Sequence, residues 1–266
     1  MSIPFPDIDP VALAIGPIEL RWYALAYLVG FIGGWRYAVA LAQKIPDLRP
    51  NKADIDDFLN YAVIGVILGG RLGYVLFYNL PYYLANPIDA FKVWQGGMAF
   101  HGGILGVIVA MIIFSLVKKI SLLRLSDIVC AVAPIGLFFG RIANFINGEL
   151  FGRVTDQPWG VIFPYGGEQP RHASQLYEAF FEGLVLFVIL FALGKTKIAQ
   201  AKAGILSATF LIGYAVFRFG IEFYREPDYH LGFIMGQISM GQILCVPMAL
   251  LGIGVLFYSL RSHQST

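Results

Sequence analysis

The chain has 266 residues, of which 58% are hydrophobic and only 14% are charged, and its mean hydropathy is +0.69. Soluble domains carry about 25% charged residues, so this composition excludes an ordinary water-soluble domain and predicts an integral membrane protein. The formal net charge of +2 is too small to indicate a nucleic acid as a partner.

Seven apolar windows are long enough to cross a bilayer as helices, since about 20 apolar residues span its hydrocarbon core. In chain order they lie at about 20–42, 58–78, 97–117, 127–147, 176–193, 205–223 and 235–260. We therefore expect an all-α fold with seven transmembrane helices. Residues 1–266 would form a single polytopic domain, with an external loop at about 148–175.

Basic residues in the connecting loops predict the orientation, because lysine and arginine accumulate on the cytoplasmic side. One side carries ten of them: Lys44, Arg49, Lys52, Lys118, Lys119, Arg124, Lys195, Lys197, Lys202 and Arg261. The other side carries five: Arg21, Lys92, Arg153, Arg171 and Arg225. This asymmetry predicts an external N-terminus and a cytoplasmic C-terminus, which an odd number of spans allows.

With this orientation, polar residues from five helices fall in the outer half of the membrane. They are Tyr23, Arg71, His101, Arg141, Asn144, Tyr214, Arg218 and Glu222, with Glu149 and Arg153 just beyond. An arginine at the bilayer centre costs about 2.5–3.5 kcal/mol on insertion scales, so such residues usually face a cavity or a partner. The pattern predicts a polar pocket in the outer half.

Simpler interpretations exist for single residues. Arg218 and Glu222 are four residues apart and form either a structural ion pair or part of a site. The side chains of Arg21, Lys92 and Arg225 are interpreted as extending to the membrane interface. Gly102, Gly103 and Gly106 are expected to allow close helix packing. The convergence of Arg71, His101, Arg141 and Arg218 at one depth is not explained by local pairing.

Arginines at the depth of lipid phosphates favour a phospholipid as the ligand, because the guanidinium fork matches phosphate oxygens. The last window lacks the lysine of a retinal protein, and no His-Glu-x-x-His zinc motif is present. The four histidines, at 101, 172, 230 and 263, are scattered, so we expect neither a metal nor an organic cofactor. A lipid transporter or flippase stays open as an alternative, and a structural scaffold is a more distant one.

The segment GRIANFINGELFGR, residues 140–153, closely resembles the signature of bacterial prolipoprotein diacylglyceryl transferases. Further matching segments are IGPIELRWYALAYLVGF, GGRLGYVLFYN, VWQGGMAFHGGILGV, RHASQLYE, GYAVFRFGIEFYREPD and ISMGQILCVPM. They occur in the family's order and cover most of the chain. The chain differs from the expected Arg-His-Pro-Ser-Gln pattern at Ala173, and the stretch between Arg153 and Arg171 is short.

The resemblance implies a transferase at the outer face of the bacterial cytoplasmic membrane. Such enzymes move the diacylglyceryl group of phosphatidylglycerol to the thiol of a prolipoprotein's lipobox cysteine and release glycerol 1-phosphate. This is the first step of lipoprotein maturation. The partners are then phosphatidylglycerol, the prolipoprotein signal peptide and membrane lipids.

The family's functional positions transfer to matching residues here. We expect His101, Arg141 and Arg218 to act in catalysis, with His101 as the base that deprotonates the thiol and both arginines binding the phosphate. The residues expected to bind substrate are Tyr23, Arg71, Arg141, Asn144, Asn147, Glu149, Gly152, Arg153, Tyr214 and Glu222.

Overall fold

A computed structural model describes residues 2–6, 8–44, 49–227, 232–234 and 238–261. Most of these residues are helical. The α-helices are α1 Trp22–Ala42, α2 Lys52–Phe77, α3 Leu80–Ala85, α4 Phe100–Lys118, α5 Leu122–Ile146, α6 Ser174–Glu178, α7 Leu186–Leu193, α8 Lys197–Ala201, α9 Ile205–Ile221 and α10 Met240–Arg261. The strands are β1 Ile3–Pro4, β2 Val11–Ile15, β3 Ile18–Arg21, β4 Val161–Ile162, β5 Phe233–Ile234 and β6 Ile238–Ser239.

Among the described residues, six helical stretches are long and apolar enough to cross a membrane: Trp22–Ala42, Lys52–Phe77, Phe100–Lys118, Leu122–Ile146, Ser174–Leu193 and Met240–Arg261. The apolar helix α9 is shorter, with 17 residues. Each predicted window overlaps one of these seven stretches. The first residues of the last window, 235–237, lie outside the described residues. The chain is thus a mostly helical, multi-pass membrane protein.

The fifth of these stretches is not a regular α-helix along its whole length. A π-helical segment, Ala179–Val185, separates α6 from α7 without a break in the helix. π-Helical turns inside α-helices are rare and occur frequently at functional sites. This irregularity has no signature in apolar periodicity, and the sequence analysis did not predict it.

The chain forms two compact units, one of residues 1–38 and 127–266 and the other of residues 39–126. In the second unit, α2 and α4 approach through glycines. A Cβ atom on Gly106 would lie 1.9 Å from the carbonyl oxygen of Gly65, and one on Gly102 would lie 2.3 Å from that of Gly69. The expected close packing is confirmed at Gly102 and Gly106, whereas Gly103 makes only ordinary contact with Val66.

In the first unit, Asp127 near the start of α5 holds the start of α9. Its carboxylate accepts hydrogen bonds from the backbone nitrogens of Gly204 at 2.7 Å and Ser207 at 2.8 Å, and from the Ser207 hydroxyl at 2.8 Å. A buried carboxylate thereby satisfies amide groups that a helix N-terminus leaves without partners. The two helices therefore start at the same end, and their later residues Arg141 and Arg218 lie toward the opposite end.

Short strands modify the all-α expectation. The strand β1 pairs in parallel with β4, β2 and β3 form a hairpin, and β5 pairs with β6. Beside β1 and β4, the rings of Phe5, Phe145, Phe151 and Phe163 form an aromatic core. These strands have two to five residues, which is too short for an alternating pattern to be recognised in the sequence.

Candidate functional site

Arg141 of α5 and Arg218 of α9 meet at one carboxylate oxygen. Glu178 Oε2 lies 2.7 Å from Arg141 Nη2 and 2.7 Å from Arg218 Nη1. The Glu178 side chain is fully buried, while the side chains of Arg141 and Arg218 are 17% and 12% exposed. Two arginines from separate helices thus share one anionic position.

Glu222, one residue beyond the end of α9, holds the other side of the Arg218 guanidinium. Its Oε1 lies 2.7 Å from Arg218 Nη2, so the pair predicted from the four-residue spacing is made. Glu222 Oε2 also accepts a hydrogen bond from Ser239 Oγ at 3.0 Å. A Cβ atom on Gly241 would lie 2.5 Å from Glu222 Oε1, so a larger residue at this position would have to shift this carboxylate.

Arg225 belongs to the same group of charges, which corrects its interpretation as an interface residue. Its side chain is only 12% exposed, and its Nη1 lies 3.4 Å from Glu222 Oε1. Its Nε lies 3.9 Å from Glu178 Oε1. The interpretation was wrong because the buried Glu178, which is distant in sequence, lies near Arg225 together with Glu222, and the sequence alone does not reveal the contact with Glu178.

Glu178 and Glu182 are the main residues that the sequence analysis missed. Both are fully buried, and Glu182 Oε1 lies 3.7 Å from Arg218 Nη1. The sequence does contain a signal for them, since two carboxylates lie four residues apart inside an apolar window. Placing charged groups in a membrane span is costly unless they have partners or a function. We call Arg141, Arg218, Arg225, Glu178, Glu182 and Glu222 the arginine–glutamate cluster.

A chain of hydrogen bonds extends from this cluster into the segment after α5. Arg141 Nη1 donates to Asn144 Oδ1 at 3.4 Å, and Asn144 Nδ2 donates to Glu149 Oε1 at 2.8 Å. Asn147 Nδ2 donates to the same Glu149 oxygen at 3.3 Å. The structure thus brings four of the predicted site residues into one network, which fixes the position of Arg141.

Arg153 and Gly152 hold the chain that follows α9. Arg153 Nε donates to the carbonyl oxygen of Arg225 at 2.9 Å, and its Nη2 donates to that of Glu222 at 3.0 Å. A Cβ atom on Gly152 would lie 2.4 Å from the carbonyl oxygen of Tyr224. Both residues position the backbone that carries Glu222 and Arg225.

Two predicted tyrosines lie within electrostatic range of the charged residues. The Tyr23 hydroxyl lies 3.1 Å from that of Tyr27 and interacts with Arg141 and Glu149. Tyr214 interacts with Glu182 and Arg218. Their rings add apolar surface and a hydroxyl group beside the charges.

Arg71 and His101 belong to the second compact unit. The buried Arg71 donates to the carbonyl oxygens of Ala90 at 2.8 Å and Asp89 at 2.6 Å, and to those of Gly96 and Gly97. Within its unit, this arginine therefore holds the segment between α3 and α4 together. His101 is the second residue of α4, its side chain is exposed, and its ring contacts that of Phe100.

A cavity of about 720 Å³ lies outside the membrane-spanning stretches. It is lined by Val154, Thr155, Asp156, Gln157, Trp159, His172 and Tyr224. Tyr177 hydrogen-bonds both Trp159, at 3.0 Å, and His172 Nδ1, at 3.2 Å. Burial lowers the pKa of His172 below its ordinary value of 6.5, so this ring is neutral near neutral pH.

The arginine–glutamate cluster has the chemistry of an anion site. Its three guanidinium groups and three carboxylates balance formally, and the arginine side chains retain some exposed surface whereas the glutamate side chains are buried. An entering phosphate would therefore approach guanidinium donors first, and their planar forks match its oxygens. Within the described part of the chain, no three His, Cys, Asp or Glu side chains gather as metal ligands.

Comparison with known proteins gives consistent matches over nearly the whole chain. The family model described as prolipoprotein diacylglyceryl transferase matches residues 10–258. A protein of Azospirillum brasilense named phosphatidylglycerol–prolipoprotein diacylglyceryl transferase is 56% identical over 98% of both chains. A protein of the same name from Rickettsia felis is 55% identical over 93% of this chain and 95% of the relative. Another, from Pseudoalteromonas translucida, is 51% identical over 98% of this chain and 96% of the relative.

Proposed function

Because this chain belongs to the prolipoprotein diacylglyceryl transferase family, we propose that it transfers the diacylglyceryl group of phosphatidylglycerol to a cysteine thiol of a prolipoprotein. The cysteine is that of the lipobox in the signal peptide. The reaction forms a thioether and releases glycerol 1-phosphate. It is the first step of lipoprotein maturation.

The observation in the site that supports this proposal most directly is the shared position of Arg141 and Arg218. Arg141 and Arg218 approach the same Glu178 oxygen, each at 2.7 Å, so two guanidinium groups from different helices already surround one negatively charged position. A phosphodiester group presents its oxygens to such a pair in the same way. The phosphate of phosphatidylglycerol binds here and displaces the arginines from Glu178.

The cysteine sulfur then attacks the glyceryl carbon that is bonded to the phosphate oxygen. As that carbon–oxygen bond breaks, negative charge increases on the leaving phosphate. Arg141 and Arg218 neutralise this charge, which is the usual electrostatic contribution to phosphate chemistry. Neither arginine changes its protonation state during the reaction, because guanidinium groups stay charged in proteins.

Other residues of the site position these two arginines and the lipid headgroup. Glu222 orients Arg218 through the contact at 2.7 Å. Asn144 and Asn147, linked through Glu149, bind the headgroup glycerol. Tyr23 and Tyr214 line the pocket, and Gly152 and Arg153 support it through the backbone that carries Glu222 and Arg225.

The protein lies in the bacterial cytoplasmic membrane with its N-terminus in the periplasm. The excess of lysine and arginine in the loops after the first, third and fifth predicted spans supports this orientation. All seven apolar stretches then cross the membrane, and residues 1–266 form one membrane domain. The arginine–glutamate cluster lies in the periplasmic half, where a secreted prolipoprotein presents its cysteine.

His101 serves as the base that accepts the thiol proton. A cysteine thiol has an ordinary pKa of about 8.5 and a histidine one of about 6.5, so a nearby imidazole raises the thiolate fraction near neutral pH. His101→Gln is expected to lower turnover by about 100-fold, the lower end of the range for general base catalysis. If His101→Gln keeps wild-type turnover while Arg141→Ala abolishes it, another group is the base and the phosphate site stands.

The reaction itself is tested with purified protein, phosphatidylglycerol and a lipobox peptide. Mass spectrometry is expected to detect a diacylglyceryl adduct on the peptide cysteine, and a Cys→Ser peptide is the negative control. Lipid movement across vesicle membranes without any adduct would contradict the transferase and favour a lipid transporter.

A further inference from the structure

Glu182 is a fully buried carboxyl group to which the proposed reaction assigns no role. It lies within the π-helical segment, and its Oε1 is 3.7 Å from Arg218 Nη1. Neither of its oxygens accepts a hydrogen bond from any residue that the structure describes. A buried carboxylate in this state is unfavourable, because ion pairing over this distance does not replace lost hydration.

The two other carboxylates of the arginine–glutamate cluster have closer partners. Glu178 Oε2 contacts two arginines at 2.7 Å. Glu222 contacts Arg218 at 2.7 Å and Ser239 at 3.0 Å. Protonating either of them would weaken short charge-assisted contacts. Glu182 would lose only a long contact, so it is the carboxylate of the cluster that takes up a proton at least cost.

The charge balance of the cluster changes when a phospholipid binds. Three arginines and three carboxylates sum to zero, and a phosphodiester adds one negative charge. One proton on Glu182 restores the balance. Among the described residues, the charged and titratable groups that act on Glu182 are Arg218, Glu178, Arg141, Arg225, Tyr214 and Cys245. A tyrosine and a cysteine are ordinarily neutral near neutral pH, so they do not take up that proton instead.

We propose that Glu182 holds a proton while phosphatidylglycerol is bound and donates it to the leaving phosphate. This inference rests on the proposed transferase function. Arg218 Nη1 lies 2.7 Å from Glu178 and 3.7 Å from Glu182, so a phosphate that takes the place of Glu178 on this atom lies next to Glu182.

The step conserves atoms and charge. The carbon–sulfur bond forms, the carbon–oxygen bond breaks, and its electron pair stays on the phosphate oxygen. The Glu182 proton moves to a phosphate oxygen, so glycerol 1-phosphate leaves as a monoanion and Glu182 becomes a carboxylate. The proton of the thiol is released to the solvent, and the next lipid that binds brings an equivalent proton onto Glu182, so protons balance over each turnover.

Three variants test the assignment: Glu182→Gln, Glu182→Asp and the exposed control Glu168→Gln. Glutamine keeps the shape but has no proton to transfer, so we expect about 100-fold lower kcat with little change in the KM for phosphatidylglycerol. On the alkaline side of its pH profile, wild-type kcat should fall as pH rises, because the acid must be protonated; a fall on the acidic side would report the base. Glu182→Gln should lose this dependence, Glu182→Asp should keep it, and Glu168→Gln should behave as wild type.

Proton uptake on lipid binding is an independent measurement that does not require the variants to fold. Binding of a short-chain phosphatidylglycerol is followed by calorimetry in buffers of different ionisation enthalpy. Wild type is expected to take up about one proton per lipid, and folded Glu182→Gln none.

The two proposals fail in different ways. Wild-type activity with no proton uptake, or with the same kcat and pH profile in Glu182→Gln, would overturn the role of Glu182 alone. A higher KM without a change in kcat would also overturn it. If wild type formed no diacylglyceryl adduct, the transferase function itself would fail.

Discussion

At the scale of single residues, the organising feature is a carboxylate that two arginines share. Glu178 Oε2 lies 2.7 Å from both Arg141 and Arg218, and this buried acid keeps two positive charges together that would otherwise repel each other. Removing one partner of a buried ion pair is strongly destabilising, since the remaining charge loses its compensation. Glu178 thus holds the two guanidinium groups of the proposed phosphate site close together in the lipid-free protein.

Arg218 makes the sharpest test of guanidinium geometry. It uses Nη1 toward Glu178 and Nη2 toward Glu222, at 2.7 Å each, and a lysine ammonium group cannot reproduce this fork. Arg218→Lys is expected to lower kcat/KM for phosphatidylglycerol by about 100-fold, the size of losses for single electrostatic contacts in active sites.

The matched control is Arg21→Lys, because Arg21 is exposed and its guanidinium group pairs with the exposed Glu19 at 3.3 Å. It is expected to keep wild-type kcat/KM in the same assay. Near-wild-type activity of Arg218→Lys would mean that charge alone suffices and that the arginine–glutamate pairs are purely structural.

Residue chemistry explains which site residues were predictable. Arg141, Arg218 and Glu222 were recognisable because charged groups inside apolar windows are costly without a partner or a function. In the structure, Arg218 contacts Glu222 directly and is linked to Arg141 through Glu178. The same argument applied to Glu178 and Glu182 but was not used. Arg225 was misinterpreted because one of its partners, Glu178, lies 47 positions earlier in the sequence (178 to 225). Residue spacing along one helix does not predict such a contact.

At the scale of elements, apolar length predicted the helices well. The windows agree with α1, α2, α4, α5, α9 and α10 because a bilayer requires nearly continuous apolar residues. The helix α2 begins earlier than its window, at Lys52, because Asn51 and Asp54 form a capping box there. The π-helical segment was not predictable, since it depends on packing and not on periodicity.

The contact between α2 and α4 is an element-level feature that can be tested alone. Gly106→Ala places a methyl group 1.9 Å from the Gly65 carbonyl oxygen, so the helices must separate. We expect this variant to destabilise the protein by about 1–3 kcal/mol, the usual cost of overpacking. Thermal unfolding in detergent micelles measures the effect.

Gly103→Ala is the matched control in the same helix. Its Cβ atom would meet only ordinary contacts at 3.9 Å, and alanine favours helix over glycine by about 1 kcal/mol. Its unfolding temperature should equal or exceed that of wild type. An equal decrease for both variants would contradict the close approach at Gly106.

At the scale of the whole molecule, the cluster arises where the last turns of two helices meet the beginning of a third. Arg141 lies in the last two turns of α5 and Arg218 in the last turn of α9, while Glu178 lies near the start of the continuous helical stretch Ser174–Leu193. Helices that start together at Asp127 and Gly204 bring their later residues to a common level. Of the four residues whose convergence the sequence predicted, the structure joins Arg141 and Arg218 through Glu178, while the short strands and the cavity beside His172 needed coordinates.

The central claim is that Arg141 and Arg218 bind one phospholipid phosphate, and an experimental structure with phosphatidylglycerol bound tests it most directly. We predict phosphate oxygens within hydrogen-bonding distance, about 2.7–3.2 Å, of guanidinium nitrogens from both residues, with Glu178 displaced from at least one of them. A headgroup phosphate bound away from both arginines, with Glu178 still bridging them, would contradict the account.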